Sequence, residues 1–181
     1  MQDAAAMRPA VVLAATALFA LAGCGRGTNV VSAEFSLTSP AFAENSQIPP
    51  EYSCDVGNAP PPLHWQNVPT DAESLAVVVD DPDAPHGRYV HWVVTGIPPS
   101  STEIVGGGLP AGAVVSLNSS GKADYLGPCP PPGASAHHYR FQLYALRKPL
   151  TLAPGTPVEE STTTIANLSV AVARTVGLFR R

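Results

Sequence analysis

Val77-Val78-Val79-Asp80-Asp81-Pro82-Asp83-Ala84-Pro85, followed by Val90-His91-Trp92-Val93-Val94, is the stretch on which the fold turns. The first β-branched run reads as a buried strand. Pro82 and Pro85 end it, because proline has no backbone N–H to give to a ladder. Three carboxylates at one strand end are costly to bury unless they are solvated or partnered. The strand therefore opens into a polar mouth on an apolar body. In the next run, Val90, Trp92 and Val94 are expected on one face of a second strand, with His91 and Val93 on the other.

Working outward, composition favours the same kind of body. The chain has 181 residues, 45% hydrophobic and only 13% charged, which suits one domain with a real core and not a disordered chain. Twenty prolines and fifteen glycines imply many turns and few long helices, so a mainly β architecture fits. A net charge of −4 argues against a nucleic-acid partner, which needs a basic surface.

Upstream, residues 1–23 read as an export signal, with Arg8 ahead of an apolar Pro9 to Leu21. That stretch is short for a membrane span. Its ending, Leu21-Ala22-Gly23-Cys24, has the form of a bacterial lipobox, in which cleavage precedes a cysteine that is then lipidated. Residues 24–33 would be a lipidated tether and residues 34–181 the folded domain. The chain is thus expected outside the cytoplasm, held at a cell membrane through Cys24. Of three cysteines, Cys54 and Cys129 then remain as an even pair in an oxidising compartment. They could be bridged or stand as two separate thiols.

Glu34 to Thr38 and Leu63 to Trp65 look like short strands, and Tyr139 to Leu146 a long one. Ser100 to Ser120 reads as an irregular connection with one short strand near Ala113 to Val115. Near the end, Thr156-Pro157-Val158-Glu159 resembles a capping box with proline at the first helical position. Ile165, Leu168, Val172 and Val176 recur at helical spacing, so a C-terminal helix is expected to run through them. Arg174, Arg180 and Arg181 would lie near its negative end.

The side chains that could carry chemistry are Asp81, Asp83, His91, Tyr125, His137, His138 and Tyr139, all at strand ends or in rigid loops beside them. A histidine beside a carboxylate holds its proton more readily. Two such donors with a tyrosine hydroxyl would make a small anion site. The plain alternative is that Asp81 caps a turn and the histidines are satisfied core or surface groups. One Asp and two His could hold zinc, yet neither His-x-x-x-His nor Cys-x-x-Cys spacing occurs. Neither a Gly-x-Ser-x-Gly elbow nor a phosphate-binding glycine loop is found, so no cofactor is expected.

Asp81-Pro82-Asp83-Ala84-Pro85, His91-Trp92-Val93-Val94, Tyr125-Leu126-Gly127-Pro128-Cys129-Pro130-Pro131 and His137-His138-Tyr139-Arg140-Phe141 together resemble the phosphatidylethanolamine-binding protein family, closest to its bacterial Raf kinase inhibitor-like branch. Tyr52-Ser53-Cys54-Asp55, Pro62-Leu63-His64-Trp65 and Leu143-Tyr144-Ala145-Leu146 extend the resemblance over roughly residues 34–180. It implies a β-sandwich with a C-terminal helix and a pocket for phosphate-like head groups. By the same resemblance the ligand-binding residues are Asp81, His91, Gly127, Cys129, Pro131, His137 and Tyr139. Asp83 and Pro85 would shape the loop, and Ala84-Pro85 is a candidate cis peptide. His138 stands where the family usually has arginine, which alters charge beside the pocket. The expectation is a lipid-anchored, non-catalytic binder of small anionic or phosphorylated groups, such as phospholipid head groups. Two alternatives are an inhibitor of an exported serine protease acting through surface loops, and a hydrolase using His91 or His137 as base. Homodimer formation is left open.

Overall fold

The computed structural model describes residues 33–181. The expected export signal, the expected lipidation site Cys24 and nearly all of the expected tether lie outside the described residues. In chain order the elements are β1 (Ser36–Thr38), β2 (Ser46–Gln47), β3 (Leu63–Gln66), β4 (Ser74–Asp81), β5 (Tyr89–Ile97), β6 (Glu103–Ile104), β7 (Val114–Val115), β8 (His137–Leu146), α1 (Val158–Leu168) and β9 (Ser169–Phe179). They form a three-stranded sheet, β1-β3-β6, and a six-stranded sheet, β2-β9-β8-β4-β5-β7. Every pairing is antiparallel except β2 with β9.

The main core lies between the sheets. Leu37, Leu63, Trp65 and Ile104 of the small sheet join Leu75, Val77, Val79, Trp92, Phe141 and Leu143 of the large one. On the other face of the large sheet, Ala76, Val78, Val90, Val93 and Leu146 are covered by Ile165 of α1. Strand β4 is therefore buried along its whole length. This explains its unbroken apolar run, since a strand covered on both faces has no reason to alternate.

Two sequence expectations are corrected. First, the helix stops at Leu168, and Ser169–Phe179 is a strand. Ile165 and Leu168 do pack on the sheet as helical residues. Beyond them a period of two takes over: Ala173, Thr175, Gly177 and Phe179 are buried while Val170, Val172 and Arg174 are exposed. The spacing of Val172 and Val176 suits either period, and β9 pairs with β8 from Leu146↔Ser169 to His137↔Phe179. No side chain caps α1, whose N-cap is Pro157, and no basic residue occupies its last turn. Second, no peptide bond among the described residues is cis, Ala84-Pro85 included.

A third correction positions the site. In the β4–β5 ladder Val79 faces Trp92 and Asp80 faces Val90, so His91 is the extra residue of a β-bulge. The alternation breaks there. Val90 joins Val93 in the cluster under α1 instead of sharing the face of Trp92 and Val94. His91 is turned instead toward Tyr139, with ring centroids 5.2 Å apart.

Candidate functional site

The ends of β4 and β8 meet in antiparallel register, with Asp80 opposite Arg140. That register resolves the problem of three acids at one strand end, because each acid meets a base from the start of β8. Asp80 is fully buried and accepts from Arg140 Nε at 2.7 Å and Nη2 at 2.8 Å, a two-pronged ion pair. Arg88 Nε also donates to it. Asp81 Oδ2 accepts from His137 Nδ1 at 2.7 Å, with both side chains buried. Asp83 accepts from the His138 backbone N–H at 2.8 Å and from its Nδ1 at 2.7 Å. Those two bonds hold the Asp83 carboxyl below its ordinary range. His138 thus ties down the loop after β4, so the residue standing in place of arginine braces Asp83.

Asp81 also makes a turn cap, since its Oδ1 accepts the Asp83 N–H at 2.8 Å. The turn-capping and histidine-partnering roles proposed for it coexist on its two oxygens.

Around these groups lies a cavity of about 530 Å³. That is within the span of roughly 300–1,000 Å³ usual for small-molecule sites. Asp81, His91 and His137 line it, with Pro85 on one wall and Cys129 and Pro131 on another. The chain brings these six sequence-predicted residues together from three separated segments. Gly127 and Tyr139 are placed behind the lining. Tyr139 is fully buried beneath the two histidines, its ring centroid 6.5 Å from that of His137. At Gly127 a Cβ would lie 2.5 Å from the Tyr52 carbonyl oxygen, so glycine lets two loops touch. Its N–H donates to Asn58 Oδ1 at 2.7 Å. Tyr125, buried against Trp92, donates its hydroxyl to the Tyr52 carbonyl and serves the core.

The proline-rich wall is fixed covalently. Cys54 and Cys129 form a disulfide, closing the question the sequence left open. The Cys54 N–H donates to the Pro128 carbonyl at 3.1 Å. Arg181 adds an ion pair to Asp55 at 2.8 Å.

His91 is the informative group. Its carbonyl accepts the Leu126 N–H at 3.0 Å, and its Nδ1 donates to the Leu126 carbonyl at 2.8 Å. A carbonyl cannot donate, so Nδ1 carries the hydrogen and Nε2 is the free nitrogen. Burial pushes the imidazole below the ordinary histidine range, outweighing the Leu126 bond and the nearby Asp81 charge. Burial, and then Asp81, pushes the Tyr139 hydroxyl well up. His91 thus pairs with a carbonyl and not with a carboxylate. His91 Nε2 and the Tyr139 hydroxyl are both buried without a hydrogen-bond partner.

Sequence reasoning missed Arg88, which also lines the cavity. Its place just after the Pro82–Gly87 loop was the available signal. Among the described residues, no three His, Cys, Asp or Glu side chains gather as a metal cage. None of the described helices is long and apolar enough to cross a membrane.

Two packed sheets with a ligand-sized cavity at the strand ends of the larger one define a small β-sandwich protein with a built pocket. The family model described as phosphatidylethanolamine-binding protein matches residues 38–180, and the chain belongs to that family. A Mycobacterium tuberculosis protein named "Putative lipoprotein LppC" is 47% identical over 144 residues, spanning 80% of this chain and 71% of that one. A UPF0098 protein of Methanothermobacter thermautotrophicus is 43% identical over 81% of this chain and 99% of its own. Among solved structures, Escherichia coli YbcL, described as a new member of the mammalian PEBP family, is similar with a TM-score of 0.77 and 31% identity. That match covers 82% of this chain and 99% of YbcL.

Proposed function

We propose that this protein is an exported, lipid-anchored binder of small phosphorylated groups, and that it does not turn them over. The observation that carries the reading is His91 Nε2, an acceptor buried without a partner on a cavity-lining residue. An unmet buried polar atom is costly, and such atoms persist where a ligand completes them. A phosphate monoester monoanion carries both a P–OH to donate to His91 Nε2 and oxygens to accept from other groups. Asp81 orients His137, and the disulfide-held loop forms the wall. Calorimetric titration of the full chain with phosphoethanolamine and inorganic phosphate tests this. Heat is expected with the wild type and lost in His91→Asn. Equal binding by both would refute the placement of the site.

The anchor reading draws support from the Leu21-Ala22-Gly23-Cys24 sequence and from the printed name of the mycobacterial relative. Labelled fatty acid should be incorporated into the wild type and not into Cys24→Ala; equal labelling would refute the anchor at this residue.

One observation favours a second reading. His137 with Asp81 has the base-and-orienter form of a hydrolytic dyad. Among the described residues, however, no serine or cysteine side chain is hydrogen-bonded to either pocket histidine. Phosphoester turnover that disappears in His137→Gln would establish the hydrolase.

A further inference from the structure

We propose that Arg88 is the cation that selects an anionic ligand for this cavity. The inference rests on the anion-binding reading above and names the residue that makes it electrostatically workable. The cavity contains the Asp81 carboxylate. Taken alone, that charge repels an anion. The free His91 nitrogen accepts and does not donate. Pro85, Pro130 and Pro131 line the walls and have no N–H to offer. Among the described lining residues, Arg88 is the only lysine or arginine.

Its bond to Asp80 leaves Arg88 available. Arg140 already occupies both Asp80 oxygens with a fork of two bonds, at 2.7 and 2.8 Å. Asp80 is thereby neutralised and satisfied without Arg88. Arg88 touches the same carboxylate through Nε alone, and its two Nη groups make no hydrogen bond to the described residues. The three groups together carry one net positive charge, and the half-exposed partner is Arg88, at 41% against 29% for Arg140. One edge of the guanidinium is thus fixed by a buried acid. The remaining donors sit on a residue that faces the cavity, in the planar arrangement that suits a phosphate. A fixed guanidinium also loses less freedom on binding than a free one.

The test compares inorganic phosphate binding by the full-length wild type, Arg88→Met and Arg88→Lys. Arg88→Met should weaken binding by about tenfold or more, as expected for loss of a charge-assisted pair. Arg88→Lys should recover part of it, because the charge returns without the fork. The thermal midpoint should hold, since Arg140 still neutralises Asp80. A wild type that binds phosphate beside an equally tight Arg88→Met overturns the role of Arg88 and leaves the anion site standing. A wild type that does not bind phosphate overturns both. A second measurement needs no variant: phosphate should slow modification of Arg88 by phenylglyoxal several-fold and leave the exposed Arg174 unaffected. Equal rates with and without phosphate overturn the proposal even if Arg88→Met fails to fold.

Discussion

His91 and Leu126 hold each other by two hydrogen bonds, backbone N–H to carbonyl at 3.0 Å and Nδ1 to carbonyl at 2.8 Å, so the ring cannot turn and its other nitrogen stays unpartnered. The β-bulge puts the ring there, and the Leu126 carbonyl fixes its tautomer. A stability prediction follows from the displaced ionisation of this buried ring. Its folded value lies below the ordinary 6.5, so between the two values the unfolded chain binds more protons than the folded one. Stability from this group is complete above about 6.5 and is lost as pH falls toward the folded value. Urea unfolding between pH 7 and 5 should show the loss. His91→Asn, whose amide can keep the Leu126 bond, should show a shallower slope. An unchanged slope would mean that the ring is not the group responsible.

The same nitrogen predicts ligand discrimination. A neutral Nε2 only accepts, so the ligand must bring the hydrogen. Phosphate monoesters carry one until their second ionisation, near pH 6. Sulfate carries none in this range. Phosphate ester affinity should therefore weaken as pH rises through the ligand's own ionisation, and sulfate should bind more weakly than phosphate at pH 6. Equal affinity for the two anions would remove His91 as the acceptor.

Tyr139→Phe separates function from stability. The variant removes a buried hydroxyl that has no partner and leaves the ring that packs beside His91. Relief of that unmet group should raise stability by about 1 kcal/mol. If the hydroxyl is kept for a ligand, phosphate affinity should fall in the same variant. A stabilised protein with unaltered affinity would assign Tyr139 to the floor alone.

The Cys54–Cys129 bridge spans 75 residues of sequence. A loop of that length is expected to contribute about 4 kcal/mol. Changing both cysteines to serine should lower the denaturation midpoint accordingly. It should also weaken ligand binding, because Cys129 and Pro131 line the cavity on the loop that the bridge restrains. Reduction of the wild type by dithiothreitol should reproduce both effects. Loss of stability with full affinity would show that hydrogen bonds alone hold the wall.

How far the sequence could be read depended on the range of the forces involved. Strand β4 was legible because a buried run ending in two prolines has one sensible meaning. The convergence of Asp81, His91 and His137 was legible through motif resemblance, since no spacing rule joins residues 56 apart. Strand β9 is not legible in the sequence, because Val172 and Val176 satisfy a period of 3.6 as well as one of 2. Only the open edge of β8 decides between them, and that edge is a tertiary fact. The facing of Val90 is not legible either, because a bulge leaves no mark in composition. A lone arginine in a loop reads as solvated surface, and only the neighbouring Asp80 and Arg140 set Arg88 apart.

Gly127 provides the sharpest test of which pocket residues shape the site and which could touch a ligand. A Cβ there would lie 2.5 Å from the Tyr52 carbonyl oxygen and 2.8 Å from the Cα and carbonyl carbon of Ser53. These are backbone atoms, which cannot swing aside as a side-chain tip can. The Gly127 N–H bond to Asn58 and the Tyr125 hydroxyl bond to Tyr52 hold the same two loops together. Gly127→Ala must push those loops apart, and overpacking of this kind costs roughly 1–3 kcal/mol. The thermal midpoint should drop. Affinity should fall with it, because displacement of Leu126 and Cys129, on either side of residue 127, moves both the His91 clamp and the cavity wall. Asn58→Ala removes that bond and the Asn58 Nδ2 bond to the Tyr125 carbonyl, and it places alanine at a φ of 49°, so it should lower the midpoint without adding bulk between the loops. A Gly127→Ala protein with wild-type stability and no phosphate binding would reverse the assignment and make residue 127 a ligand contact.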